Sequence, residues 1–581
     1  VLPWLASATA AVATEKAATP AAQHAPAAKT ATAPKTPAAP KTPAAPKTPA
    51  APKTATAPKT PAAPKTPAAP VAAAPAANDA EAGAKPAGAK PVPGLAPLAT
   101  PSPDAPKAPA DPAARRAWLK KEIDEALAAP PLAKAKIGVL AVESDTGKAI
   151  YSRGEKTPLN AASNVKIVTT AAALSLLGPE YRWRTTLSVA APLTGAALGP
   201  GGEITGDLVL HGGGDPTLTV EDLAAMVADL LALGVHKVHG ALVVDDGFFD
   251  ASTVGPAYDQ KTESTASRAP SSAASLSFNA VSVTVIPAAV AGAPARVTVE
   301  PASPYIAVSG AVVTAADGPA SPAVDTRDDG GTRTRVFVGG RVRLGSEPRT
   351  FYRRVVHPAL FTGQTLRQIL ERRGIIIEKP TRVAAVSPQG RRVLSTHESA
   401  PLAVVIQDLN KRSNNFMAEQ VVRTLGAEIG GRPGTWAKGL DAVGRYLAGI
   451  GLPHGSYTMT NGSGLYDSNH FSPEQITTVL RAASRDFRVS AEFLSSLAVA
   501  GTDGTIAHRM AGTLAERYVR AKTGTLASVS CLSGFAGSPG HVPLVFSILM
   551  NDIPNAAEAR RAQDRVAEIL VAYLEAEAVH H

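Results

Sequence analysis

The spacing of three short polar motifs constrains this chain more than any other feature. Ser163-Asn164-Val165-Lys166, Ser413-Asn414-Asn415 and Lys522-Thr523-Gly524 occur in that order, with 250 positions from Ser163 to Ser413 and 109 from Ser413 to Lys522. Connections inside one compact domain are short. If the three motifs meet in one site, the first gap is far longer than one fold needs. An insertion between the first two motifs is therefore expected.

Composition marks a second division. Residues 1–110 contain 24 of the 51 prolines, 11 lysines, no arginine and four acidic residues (Glu15, Asp79, Glu81, Asp104), with almost no large apolar side chains. Such a segment buries no core and reads as a disordered Pro/Ala/Lys-rich tail. Lys35, Lys41, Lys47, Lys53, Lys59 and Lys65 recur every six residues. Polyproline II has three residues per turn, so these lysines fall along one side of an extended spacer. A spacer is the main reading, and electrostatic contact with an anionic cell envelope the second. The tail supplies +7 of the net charge of +10, leaving +3 for the other 471 residues. With no zinc-finger spacing and no aromatic-basic interleaving, no nucleic-acid face is expected.

A single cysteine, Cys531, excludes an internal disulfide and reads as a small buried hydrophobe on a strand. No run of 18 apolar residues exists, so no membrane-spanning helix is expected. Residues 1–13 read either as the end of a signal peptide or as an Ala-rich start to the tail. There is no His-Glu-x-x-His, His580-His581 read as tail, and no metal or cofactor is expected.

Order is expected to begin near Asp111, with a helix over 113–129 stopping before Pro130-Pro131. Ile137–Val142 and Ala149–Tyr151 flank Ser144-Asp145-Thr146-Gly147-Lys148, the pattern of a hairpin. A helix over 163–177 follows, ended by Gly178-Pro179. Near the other end, Val542, Leu544, Phe546, Ile548 and Met550 alternate as in a half-buried strand. Val566, Ile569, Leu570, Tyr573 and Leu574 then keep the helical i, i+3, i+4 rule. Sheet pieces at both ends suggest that the ends meet in one domain and that the middle is a guest. Within it, 207–211 and 240–245 read as strands, 220–233 as a helix, and His211-Gly212-Gly213-Gly214 as a turn after a strand. The expected division is 1–110 tail, 111–183 first part of the host, 184–391 inserted, and 392–581 second part of the host.

Ser163 and Lys166 are three apart at a helix start, so both side chains reach one face. A serine hydroxyl attacks only when a neighbour takes its proton, and a lysine does so once its pKa is lowered. The helix N-terminus favours developing negative charge and disfavours a protonated lysine. Ser413-Asn414-Asn415 opens another helix, where a capping role competes with proton relay by Ser413 and substrate orientation by Asn415. In Lys522-Thr523-Gly524-Thr525, glycine permits close approach, and the lysine and hydroxyls suit a carboxylate.

Together with Gly213-Gly214-Asp215-Pro216-Thr217-Leu218, Asn461-Gly462-Ser463-Gly464-Leu465 and Thr502-Asp503-Gly504-Thr505, these motifs resemble the low-molecular-mass class C penicillin-binding proteins. Within that group the resemblance is to the DacB-like D-alanyl-D-alanine carboxypeptidases, over about residues 130 to 577. It implies an α/β (α+β) β-lactamase/transpeptidase-like domain with a large, mostly β insertion forming two extra domains. It also implies that Ser163 is acylated, Lys166 is its base, Ser413 relays protons and Asn415 orients substrate. Lys522, Thr523, Gly524 and Thr525 would hold the terminal carboxylate, and the Ser163 and Thr525 N–H groups the oxyanion. Asp259, in the loosely matching segment Tyr258-Asp259-Gln260, is taken as a further substrate contact.

The implied activity is D,D-carboxypeptidase, with D,D-endopeptidase as an additional one, on peptidoglycan peptides outside the cytoplasmic membrane, with β-lactams as covalent inhibitors. A β-lactamase or esterase on the same fold, and a non-catalytic wall-binding protein, are the alternatives. One departure stands out: where the family reads Asp-Gly-Ser-Gly-Leu-Ser-Arg, this chain ends in Tyr466-Asp467, without the arginine.

Overall fold

The computed structural model describes residues 105–190, 199, 201–387 and 389–577. The Pro/Lys repeat, residues 1–13 and His580-His581 lie outside the described residues. The first helix runs Pro112–Leu127, with Asp111 Oδ1 accepting from Ala114 N at 2.8 Å and proline at its first position. Its Arg115 is buried against the last helix, Ala556–Glu575, donating to Ala576 O at 2.9 Å and lying over the Tyr573 ring.

The expected meeting of the chain's two ends is a six-stranded antiparallel sheet in the order Ala498–Val499, Val519–Leu526, Val529–Ala536, Leu544–Asn551, Lys136–Glu143, Ala149–Arg153. The hairpin Lys136–Glu143/Ala149–Arg153 is the one expected. The strand Leu544–Asn551 differs from expectation: it is buried along nearly its whole length rather than on one face. The first and last helices cover Phe546, Ile548 and Met550 on one side. The helix Val165–Leu177, among others, covers Val545 on the other. Ser547, which alternation reads as solvent-facing, instead accepts from Ser533 Oγ at 2.9 Å inside the core. Val542 is exposed and precedes the strand.

Between the first and second motifs the chain leaves this layer and builds a separate core. A second sheet runs Ile376–Val383, Lys237–Asp245, Leu208–His211, Arg184–Ala190, Arg391–Glu398. Its first three strands are parallel and its last two join antiparallel. The helices Val220–Ala232 and Pro358–Arg372 contribute to the same core. Smaller sheets built from strands between Ala280 and Arg354 complete the region.

Entry and exit of this region meet at one point. Trp183 N donates to Ser399 Oγ at 3.0 Å and Ser399 N to Trp183 O at 3.0 Å. The Trp183 indole is wholly buried and donates to Thr424 Oγ1 at 2.9 Å. The junction expected at 391/392 falls at the start of the strand Arg391–Glu398, which pairs along Arg184–Ala190. We therefore propose that the guest spans 184–398.

Candidate active site

Ser163 sits in a 3₁₀ turn, Ala162–Asn164, that leads directly into the helix Val165–Leu177. The turn is tight: Ala162 has φ 44°, in the left-handed region, and its N–H donates to Asn160 Oδ1 at 2.8 Å. On the first turn of the helix, Lys166 is fully buried, with Nζ 2.9 Å from Ser163 Oγ, 2.7 Å from Asn415 Oδ1 and 2.7 Å from Ser463 O. A neutral amine has two N–H groups and one lone pair. With the N–H groups given to the two carbonyl oxygens, which only accept, the lone pair faces the serine hydroxyl. Burial, and then the charge of Lys522, hold the Lys166 pKa well below its ordinary 10.5, with Glu419 opposing.

The second motif divides its tasks among three residues. Ser413 ends the helix Leu402–Arg412 with φ 57°, and Asn414 caps the helix Asn415–Gly430 by accepting from Met417 N at 3.0 Å. Capping thus falls to Asn414, which frees its neighbours. Asn415, the first residue of that helix, turns its oxygen to Lys166, and its Nδ2 donates to Ser267 O at 3.0 Å. Ser413 Oγ accepts from Lys522 Nζ at 2.7 Å.

The third motif lies on the strand Val519–Leu526, as expected. Lys522 is fully buried, also donates to Thr523 O at 2.9 Å, and burial lowers its pKa to about 7. Thr523 Oγ1 donates to Thr505 Oγ1 at 2.8 Å, which ties in the Thr502–Thr505 motif. Gly524 passes so close to the serine turn that a Cβ there would stand 2.9 Å from Ala161 O and 3.1 Å from Ser163 N. A strand with any side chain at this position could not approach the serine so closely.

Ser163, Ser413, Asn415, Thr523 and Thr525 line one small cleft of about 40 Å³, joined by Arg412 and Thr505. Asp259 is not brought to it: the residue is exposed and does not line this cleft. Its neighbour Tyr258 is buried instead, with its hydroxyl 3.0 Å from Ser463 Oγ and 3.3 Å from Glu419 Oε1. Asp467, at the position of the missing arginine, pairs with His470 at 3.2 Å, while Arg268 lies over the adjoining Tyr466 ring.

Glu419 is the residue that sequence reasoning missed. It is buried and accepts from Ser463 N at 2.9 Å, Gly462 N at 3.2 Å and Trp436 Nε1 at 2.8 Å. It thereby fastens the loop whose carbonyl meets Lys166. Its one local signal is its place four residues after Asn415, on the same helix face. Cys531 is buried on its strand, where burial pushes the thiol up to about 12.

A serine hydroxyl facing a lysine lone pair, beside the antiparallel sheet of a domain built from helices and strands, defines a class: serine–lysine acyl-transfer enzymes. The model of the D-Ala-D-Ala carboxypeptidase 3 (S13) family matches residues 119–573, and the chain belongs to that family of serine carboxypeptidases. It is 36% identical over 474 residues to the D-alanyl-D-alanine carboxypeptidase of Actinomadura sp. (strain R39), covering 79% of this chain and 86% of the relative. It is 25% identical to the D-alanyl-D-alanine carboxypeptidase DacB of Haemophilus influenzae, over 69% of this chain and 82% of the relative. The crystal structure of penicillin binding protein 4 (dacB) from Haemophilus influenzae superimposes with a TM-score of 0.65 at 23% identity, covering 76% of this chain and 97% of that one. This likeness concerns the fold.

Proposed function

We propose that Ser163 is the nucleophile of a D,D-carboxypeptidase acting on peptidoglycan peptides outside the cytoplasmic membrane. Lys166 takes the hydroxyl proton as Ser163 Oγ bonds to the penultimate D-Ala carbonyl carbon. The backbone N–H groups of Ser163 and Thr525 receive the oxyanion, each donor being worth about 3–4 kcal/mol in such sites. As the C–N bond breaks, the proton held by Lys166 passes through Ser413 to the departing D-Ala amine, which leaves Lys166 neutral again. Water, deprotonated by the same base, then cleaves the ester and restores Ser163.

Lys522, Thr523 and Thr525 hold the terminal carboxylate, with Gly524 keeping the strand close, and Asn415 orients the substrate amide. The observation carrying this reading is the buried Lys166, whose two N–H groups are committed to carbonyls and whose third position is 2.9 Å from Ser163 Oγ. A related structure, penicillin binding protein 4 of Haemophilus influenzae, is complexed with a β-lactam. We extend that chemistry to Ser163.

The test is intact-mass analysis after penicillin, wild type beside Ser163→Ala, followed by digestion of purified muropeptides. One adduct per chain, absent in the variant, with D-Ala released, is the expected result. Folded protein that forms no adduct and releases no D-Ala would overturn the assignment.

A further inference from the structure

A second cleft, of about 880 Å³, opens between the inserted sheet and the host, bordered by Tyr181, Arg182 and Arg432. Its buried wall holds a continuous hydrogen-bonded chain. His211 Nδ1 donates to Asp245 Oδ2 at 2.7 Å, which leaves Nε2 to accept from Ser188 Oγ at 2.9 Å. Ser188 Oγ in turn accepts from Arg391 Nε at 2.9 Å, and Ser188 O from Arg391 Nη2 at 3.1 Å.

The order Asp, His, Ser invites comparison with a hydrolytic triad, but two observations argue against it. Arg391 occupies a lone pair of the hydroxyl and draws electron density from it. Ser188 also lies within a strand paired on both sides, to Val209 and Val393, rather than on a sharp turn. The chain of bonds does something else: it fixes the plane of the Arg391 guanidinium at the wall of the cleft.

The other arginines of the cleft are engaged. Arg184 pairs with Glu398 at 2.8 Å, Arg432 pairs with Glu428 at 3.2 Å, and Arg182 donates to Ser399 O at 2.6 Å. Among the described residues no carboxylate forms an ion pair with Arg391, whose bonds go to a hydroxyl and a carbonyl of one serine. Burial lowers its pKa, while the charges of Asp207 and Asp245 nearby oppose that shift. A guanidinium already oriented, partly desolvated and with no carboxylate in direct contact can receive one. The cleft's volume suits a peptide rather than a single ion.

We infer that this cleft is a second peptide-binding site, in which Arg391, held by Ser188, His211 and Asp245, receives a free carboxylate of a peptidoglycan stem peptide. The inference rests on the peptidoglycan reading above. A polymer carries many stems, so holding one here raises the local concentration of others at Ser163.

The test is calorimetric titration of penicillin-acylated protein with disaccharide-pentapeptide. Binding of one molecule to the blocked enzyme is expected, weakened about tenfold or more in Arg391→Met, the loss of a charged hydrogen bond, and less in Arg391→Lys. With polymeric sacculi as substrate, Arg391→Met and Ser188→Ala raise KM and leave kcat unchanged. Turnover of a short diacylated tripeptide, which spans only the Ser163 cleft, stays at the wild-type rate.

No binding to the acylated protein, or binding indifferent to Arg391→Met, overturns the inference. If penicillin forms no adduct, the assignment of Ser163 fails instead. The same titration on unmodified protein and Arg391→Met then still decides this site.

Discussion

Ser163 and Ser188 each set a hydroxyl against a base at the same distance, Lys166 Nζ at 2.9 Å and His211 Nε2 at 2.9 Å. Both line clefts, but their surroundings otherwise differ. Ser163 stands at a tight turn leading into a helix and lines a cleft, with its lysine desolvated and poor in protons. Ser188 lies within a paired strand, its oxygen already bonded by a guanidinium. Proximity to a base is thus a weak criterion for a nucleophile. What separates the two is the backbone that carries each hydroxyl and whether its oxygen is already held by a cation.

The largest effect that tests this contrast is in acylation. Ser163→Ala is expected to lower peptide turnover by roughly 10⁴-fold or more. Ser188→Ala leaves the penicillin acylation rate, followed by fluorescent labelling, at the wild-type value. Equal losses in the two variants would erase the distinction. Next come the bases: Lys166→Ala is expected to slow acylation by about 10²–10⁴-fold, the usual range for general-base removal, and His211→Ala not at all. Stopped-flow acylation measures both.

Titration sharpens the comparison further. With Lys166 as base and Lys522 holding the carboxylate, as proposed, turnover needs the first neutral and the second charged, so kcat/KM is expected to fall on the acid side as the pair gains a proton. It falls on the alkaline side as Lys522 loses its own, with a pKa of about 7 in the free enzyme. Lys522→Arg, which stays charged, is expected to carry activity to higher pH. The same shift acts on stability. Between about pH 7 and 10.5 the native state holds fewer protons at Lys522 than the unfolded chain, so stability rises with pH across that window. Urea midpoints of Lys522→Met are expected to lack that part of the rise.

The smallest effect is steric. Gly524→Ala pushes a methyl toward Ala161 O and is expected to cost about 1–3 kcal/mol by overpacking, read as a shift in urea midpoint together with slower acylation.

Much of this was legible in the sequence because its signals are local. The hairpin, the helix after Ser163 and the last helix each follow from periodicity and turn residues within about twenty positions. The alternation of Val542, Leu544, Phe546, Ile548 and Met550 suggests a half-buried strand, with Ser547 on its opposite face. Only the fold reveals its partner Ser533, which also accepts from Asn164 Nδ2 at 2.6 Å. Glu419 was invisible for the same reason: its partners come from 258, 436 and 462–463, far apart in sequence. The three motifs predicted a shared cleft and the structure assembles it. Asp259 had no motif behind it, and no contact with the cleft is found.

The hydrogen bond from Asn415 Nδ2 to Ser267 O joins a residue of the second motif to a backbone atom of the inserted segment. That carbonyl fixes which way the amide faces, and so which atom Lys166 meets. The insert is therefore not a detachable module: a minimal enzyme made by joining Trp183 to Ser399 would keep all three motifs and lose the orientation of one of them. Any account of how the insert arose must explain how its arrival left that amide correctly turned.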